Sequence, residues 1–222
     1  MKDMDTLEFK EHLLVSPLNT HTTGAVRLGN IAREILDRDF NKVVFYLQNL
    51  FKETIDDYFT DKALVAGTLG ITPSDDMILD SFEIAKSQGI EYVFKDGNLE
   101  LQQPYSVKIV FEFEDTEDIY IIGSSIGDGN ILITDLNGNK VEFSGNYPTI
   151  LIKYADKKGV ISEISTILAK NEINIATMKV TRDRDIATMV IETDSDMDDN
   201  VIKSIENLEN IIYIKGITPL EI

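Results

Sequence analysis

A chain of 222 residues with 43% hydrophobic content suits one large domain or two ordinary ones, and composition excludes disorder as the default. Its 39 acidic residues against 21 basic ones give a net charge of −18. That field repels a phosphate backbone or an anionic membrane, and no local run of Lys and Arg breaks it, so neither nucleic acid nor membrane is an expected partner. Cysteine is absent, and His12 and His21 are the only histidines. Disulfides, thiolate nucleophiles and cysteine-held clusters are therefore excluded from this chain, and a zinc site of usual composition is not expected. No apolar stretch approaches the roughly 20 residues that span a bilayer. Met1 to Lys10 has neither the basic nor the apolar segment of a secretory leader, so the expected location is the cytoplasm.

In chain order, Ser16 to Thr22 reads as a polar loop that Pro17 keeps from being helical. A helix is predicted from about Thr23 to Leu36, with Ala25, Leu28, Ala32, Ile35 and Leu36 on its apolar face and Arg27, Asn30, Arg33 and Glu34 elsewhere. Val43 to Leu47 reads as a buried strand. Thr60 is expected to cap a helix over Asp61–Leu69 that Gly70 ends, and Ser74 to cap another carrying Ile78, Phe82 and Ala85. The period then changes to two: Val107, Ile109, Phe111 and Phe113 alternate along a strand, followed by strands at 119–122, 131–134 and 141–143. Asn137-Gly138 between the last two is a hairpin signal, because that turn needs positive φ. Gly123 to Gly129 reads as a glycine-rich connection between strands. It is not a phosphate loop, since no helix follows. Asp194 to Asp199 lacks the glycine and terminal glutamate of a calcium loop and reads as a solvated helix start.

Gly145-Asn146-Tyr147-Pro148 marks the expected boundary between residues 1–146 and 147–222. Beyond it the order is strand 149–154, helix 160–171, strand 175–181, strand 186–193, helix 198–208 and strand 211–215. This is the ferredoxin-like βαββαβ arrangement, so the predicted class is α+β, a mixed α/β domain followed by a ferredoxin-like one. Gly159 allows close backbone approach where the first helix of that unit exposes N–H groups, which favours a carboxylate ligand. A turn at that place is also what any such fold requires.

Asp156-Lys157-Lys158-Gly159-Val160 and Ile173-Asn174-Ile175-Ala176 make the second region resemble an ACT domain, a small-ligand sensor of amino-acid enzymes. Upstream, five ordered blocks resemble the beta chain of bacterial iron–sulfur L-serine dehydratases: Thr22–Gly29, Thr60–Leu64, Asp80–Ala85, Gly123–Gly127 and Val141–Pro148. The resemblance implies an allosteric-substrate-binding domain joined to ACT. It also implies an alpha chain as partner, carrying a [4Fe–4S] cluster and its cysteines, and conversion of L-serine to pyruvate and ammonia. No cofactor is expected on this chain itself. A homodimer is expected when the partner is missing, because pairing hides ACT edge strands.

The same resemblance nominates site residues. The family's Gly-Pro-Ser-Ser-Ser-His-Thr loop appears as Ser16-Pro17-Leu18-Asn19-Thr20-His21-Thr22, which makes His21 the candidate catalytic residue and Asn19, Thr20 and Thr22 candidate ligand contacts. Read from the residues alone, His21 is more often a hydrogen bonder at a helix start, and the resemblance is what raises a ligand or acid–base role beside it. Asp61, Lys62, Ser124, Ser125, Asp156 and Gly159 complete the ligand set, and no metal ligands are expected. Two segments depart from the family: Gly-His-Gly is Asp57-Tyr58-Phe59, and Gly-Ser-Phe is Asn49-Leu50-Phe51. A phenol of pKa about 10 does not replace an imidazole as a neutral-pH base. The alternative is therefore a non-catalytic amino-acid sensor diverged from the beta chain. An independent hydrolase has no spaced acid pair to support it.

Overall fold

The computed structural model describes residues 19–53, 59–99 and 103–219, so Pro17, Asp57 and Tyr58 lie outside the described residues. Two compact units are found, the first ending at Asn137 and the second running from Gly138. The expected boundary at Gly145–Pro148 lies inside the second unit, which gains the strand before it.

The first unit opens with α1 (Asn19–Leu36), followed by β1 (Lys42–Leu47), α2 (Asn49–Glu53), α3 (Thr60–Thr68), a 3₁₀ turn (Asp76–Asp80), α4 (Ser81–Ser87) and β2 (Glu91–Asp96). Then come β3 (Ser106–Phe111), β4 (Ile119–Gly127) and β5 (Asn130–Leu136), and the strand order is β2-β1-β3-β4-β5. β1 and β2 are parallel, with Val44 opposite Val93, and the remaining neighbours are antiparallel. The helices between β1 and β2 are the crossover that a parallel pair requires.

α1 starts four residues earlier than predicted, so Asn19 to Thr22 are helical rather than a loop. Proline restricts the residue before it, not those that follow, and so does not delay a helix on its C-terminal side. Arg27, assigned off the apolar face, is fully buried, because α1 is covered by α3 as well as by β3, β4 and β5. Its guanidinium donates to the Gly129 carbonyl at 2.8 Å. The α1–α3 packing depends on two glycines. A Cβ on Gly67 would fall 2.1 Å from the Val26 carbonyl oxygen, and one on Gly29 2.6 Å from that of Leu64.

Thr60 is not a cap: it is buried inside α3, and Phe59 holds the cap position at φ 53° without a side-chain bond. Gly70 ends α3 as expected, with Gly70 N–H donating to Gly67 and Ile71 N–H to Ala66. Asp75, not Ser74, caps the next turn by accepting from Met77 N–H at 2.9 Å. β2 and α2 had no counterpart in the prediction; β2 is a half-exposed edge strand without clean alternation. β4 runs through Gly123–Gly127, leaving Asp128-Gly129 as the turn, both at positive φ. Gly123 belongs in the strand because Leu28 and Ile133 side chains would meet a Cβ there at 2.6 and 2.8 Å. Asn137 and Gly138 form the turn after β5 with φ of 49° and 81°, as their sequence signals.

The second unit contains β6 (Asn139–Phe143), β7 (Thr149–Ala155), α5 (Val160–Lys170), β8 (Ile175–Asp183), β9 (Ile186–Thr193), α6 (Asp199–Glu206) and β10 (Ile211–Ile217). From β7 onward this is the predicted βαββαβ unit, an antiparallel sheet in the order β10-β7-β9-β8. Ile150, Ile152, Tyr154, Ala187, Met189 and Ile191 form its core with Val160, Ile164 and Leu168 of α5 and Val201 and Ile205 of α6. β6 packs on β8 and β9. Glu192 fastens it, accepting from Ser144 N–H at 3.1 Å, Ser144 Oγ–H at 3.0 Å and Thr177 Oγ1–H at 2.8 Å.

Candidate functional site

His21 sits in the first turn of α1, half-buried, where its Nδ1 shares a 2.9 Å hydrogen bond with Ser125 Oγ of β4. Its ring stacks on Tyr105 with centroids 3.7 Å apart and planes at 21°, and Phe51 meets Tyr105 edge-on at 6.2 Å. Ser125 is 1% exposed, and its backbone N–H donates to the Tyr105 carbonyl at 2.9 Å. Gly24, one turn after His21, leaves the space that Ser125 fills: a Cβ there would lie 2.3 Å from Ser125 Oγ. Three chain segments therefore orient one imidazole.

Burial lowers the pKa of His21 from its ordinary 6.5, so the ring is neutral at neutral pH. When the Ser125 hydroxyl accepts from Nδ1–H, Nε2 presents a lone pair and accepts a proton. When the hydroxyl donates to Nδ1, Nε2–H is a donor to a carboxylate or hydroxyl. Among the described residues nothing bonds to Nε2. An oriented, neutral imidazole with one nitrogen unbonded among the described residues suits proton transfer and ligand recognition alike.

The other predicted residues divide. Thr22 is buried beside His21 in the sequence, and the side chains of Asn19 and Thr20 lie outside the described residues. Ser125 joins His21, but Ser124 does not. Gly123 and Ser125 face α1, so alternation turns Ser124 to the opposite face, where its Oγ lies 2.6 Å from Ser106 Oγ. Ser106 in turn donates to the Gln103 carbonyl at 2.6 Å. Lys62 Nζ donates to the Leu79 carbonyl at 2.8 Å and lies over the rings of Phe59 and Phe82, while Asp61 Oδ1 accepts from Lys62 N–H at 2.7 Å. In the second unit Asp156 accepts from Arg182 Nε at 2.9 Å. Gly159 stands at the start of α5 with φ 100°, and no side chain caps that helix. Tyr105 and Ser106 were not foreseen: they lie 84 and 85 positions from His21, and no spacing rule joins them to it.

Among the described residues no group of three or more His, Asp or Glu is placed to hold a metal, and no helix is long and apolar enough to cross a membrane.

The ACT domain family model matches residues 148–210. An L-serine dehydratase beta chain from Peptoniphilus asaccharolyticus is 41% identical over 184 residues, covering 82% of this chain and 83% of the relative. A probable L-serine dehydratase beta chain from Bacillus subtilis (strain 168) is 34% identical over 182 residues, 82% of each. Among solved structures, the ACT domain of GTP pyrophosphokinase from Chlorobium tepidum aligns with TM-score 0.28 and 18% identity over 31% of this chain and 94% of its own. The two beta chains run through both units, and the ACT match falls on the βαββαβ fold already described. The chain belongs to the family of L-serine dehydratase beta chains and ends in an ACT domain.

Proposed function

We propose that this chain is the beta subunit of a cytoplasmic L-serine ammonia-lyase, which works with an alpha chain to convert L-serine to pyruvate and ammonia. The observation that carries the reading is the neutral His21 imidazole, held by Ser125 and stacked on Tyr105, with Nε2 unbonded among the described residues. In this reading His21 takes or holds a proton of serine where the two chains meet. The residues of this chain do not fit a [4Fe–4S] cluster, because the sequence has no cysteine to ligate it. The cluster is assigned to the alpha chain. Gly159 and the uncapped start of α5 support amino-acid sensing by the ACT domain. The open edges β8 and β10, with Ile212 54% and Tyr213 47% exposed, support a homodimer when alpha is absent.

The experiment is co-expression with an L-serine dehydratase alpha chain and an anaerobic serine-to-pyruvate assay. His21→Asn keeps a hydrogen-bonding group for Ser125 and lacks the imidazole. It should lower turnover by about 10²-fold or more, the scale of a positioned acid–base group. Full activity in that variant would overturn the role of His21. One feature favours the sensor alternative: bulky Phe59 holds a left-handed position, φ 53°, in the segment where the family has Gly-His-Gly. A complex that binds serine, seen as a raised thermal midpoint, yet forms no pyruvate would establish that alternative.

A further inference from the structure

In a chain of net charge −18, four cations meet around one cleft of the second unit. The cleft measures about 560 Å³ and gathers Lys140, Lys153, Arg182 and Arg184, with Asp183 and Asp185 as its acidic members. It lies on the helix-free face of the ACT sheet. Ile152 and Tyr154 point into the core beneath α5 and α6, so alternation turns Lys153 outward. Thr188 pairs with Lys153, and Thr181 with Thr188, which sets an ammonium and two hydroxyls in one row. Gly138, Asn139 and Lys140 line another side, and the end of β8 and the β8–β9 turn supply Arg182 and Arg184.

The charges are unevenly used. Arg182 is tied through Nε to Asp156. Lys153 is half-buried and, among the described residues, neither it nor Arg184 has a hydrogen bond or ion pair. A half-buried ammonium beside hydroxyls offers an anion charge-assisted hydrogen bonds. The volume lies within the range of small-molecule clefts.

We propose that this cleft binds a small organic polyanion, one bearing two or more negative charges on phosphate or carboxylate groups. It is a second ligand site, distinct from His21, and it adjoins the turn before α5, where Asp156 accepts from Arg182 and donates its N–H to the Asp185 carbonyl. The cations supply charge-assisted hydrogen bonds, and Thr181, Thr188 and Asn139 supply neutral ones.

The test uses the full-length chain and two probes, pyrophosphate and citrate, followed by calorimetry and thermal midpoint at fixed ionic strength. At least one probe should bind and raise the midpoint, and the tighter one identifies the source of the charge. Lys153→Met keeps the aliphatic stem and should weaken binding by about tenfold or more, as should Arg184→Gln. Lys86→Met, on α4 of the first unit, should leave it unchanged. Absence of saturable binding by either probe at millimolar concentration overturns the proposal. Equal affinity in Lys153→Met, Arg184→Gln and Lys86→Met overturns it too, by showing attraction to no particular place. Serine turnover plays no part in the measurement, so this result stands or falls apart from the lyase reading.

Discussion

Replacing Gly24 by alanine tests how tightly the His21 site is built into the fold. The new Cβ would lie 2.3 Å from Ser125 Oγ and 2.8 Å from Ser125 Cβ. Overpacking of this kind costs about 1–3 kcal/mol. Turning Ser125 away also breaks its bond to His21, about 0.5–1.5 kcal/mol more. Against these stands the helix preference for alanine over glycine, about 1 kcal/mol. The net expectation is a loss of roughly 1–3 kcal/mol, or about 4–8 °C in Tm near the middle of that range. Ser125→Ala alone should cost about 1 kcal/mol. In the Ser125→Ala background the nearest clashing atom is gone and the hydrogen bond is already lost, while the contact with the residue 125 Cβ at 2.8 Å remains, so Gly24→Ala should then cost about 1 kcal/mol less than in the parent. The double-mutant cycle therefore has a coupling of about 1 kcal/mol or more. Urea unfolding followed by circular dichroism measures it, provided the slopes agree. Strict additivity of the two substitutions, or a Gly24→Ala protein as stable as the parent, would refute the geometry.

Because burial lowers the His21 pKa, the folded state favours the neutral ring. The associated stability is fully present above pH 6.5 and is lost as pH falls from there through the folded value. Thermal midpoints of wild type and His21→Asn across that window, with an NMR titration of the imidazole, check the sign; an upward-shifted His21 would sink it. Two glycines should respond differently to alanine. Gly67→Ala meets backbone atoms of Val26, Gly29 and Asn30 within 2.9 Å and should lose about 2 kcal/mol or more, even after the helix gain. Gly159→Ala meets nothing within 4 Å and should lose only the cost of its left-handed conformation, about 1–2 kcal/mol. Equal losses would show that the close approach at Gly67 is relieved at no greater cost than the strain at Gly159.

The ferredoxin-like unit was legible because its signals are local. Ile164 and Leu168 recur at helical spacing, the strands between Thr149 and Thr193 are strongly apolar, and Gly159 marks the turn. The ordered motifs were enough to indicate the family, and the Asn137-Gly138 turn needed nothing beyond its own two residues. Element edges were less legible, since Thr60 and Asp75 have similar local propensity for a cap. Only the path of the chain through Phe59 buries Thr60 and leaves Asp75 free to accept from Met77.

Long-range assembly decided the rest. Arg27 reads as a surface residue until α1 is enclosed by α3 and the sheet, and the Gly129 carbonyl then receives its charge. Ser124 and Ser125 are equivalent in the sequence, yet strand alternation sends one to Ser106 and the other to His21. Tyr105 becomes part of the site solely through the β3–β4 register that carries it to Ser125. The four cations of the cleft are not consecutive in the amino-acid order. Lys140, Lys153, Arg182 and Arg184 come from β6, β7, β8 and the β8–β9 turn, and antiparallel pairing sets Lys153 beside Thr188 and Thr188 beside Thr181. Electrostatic potential sums over distance in space, so a chain of net charge −18 can still close around a positive cleft.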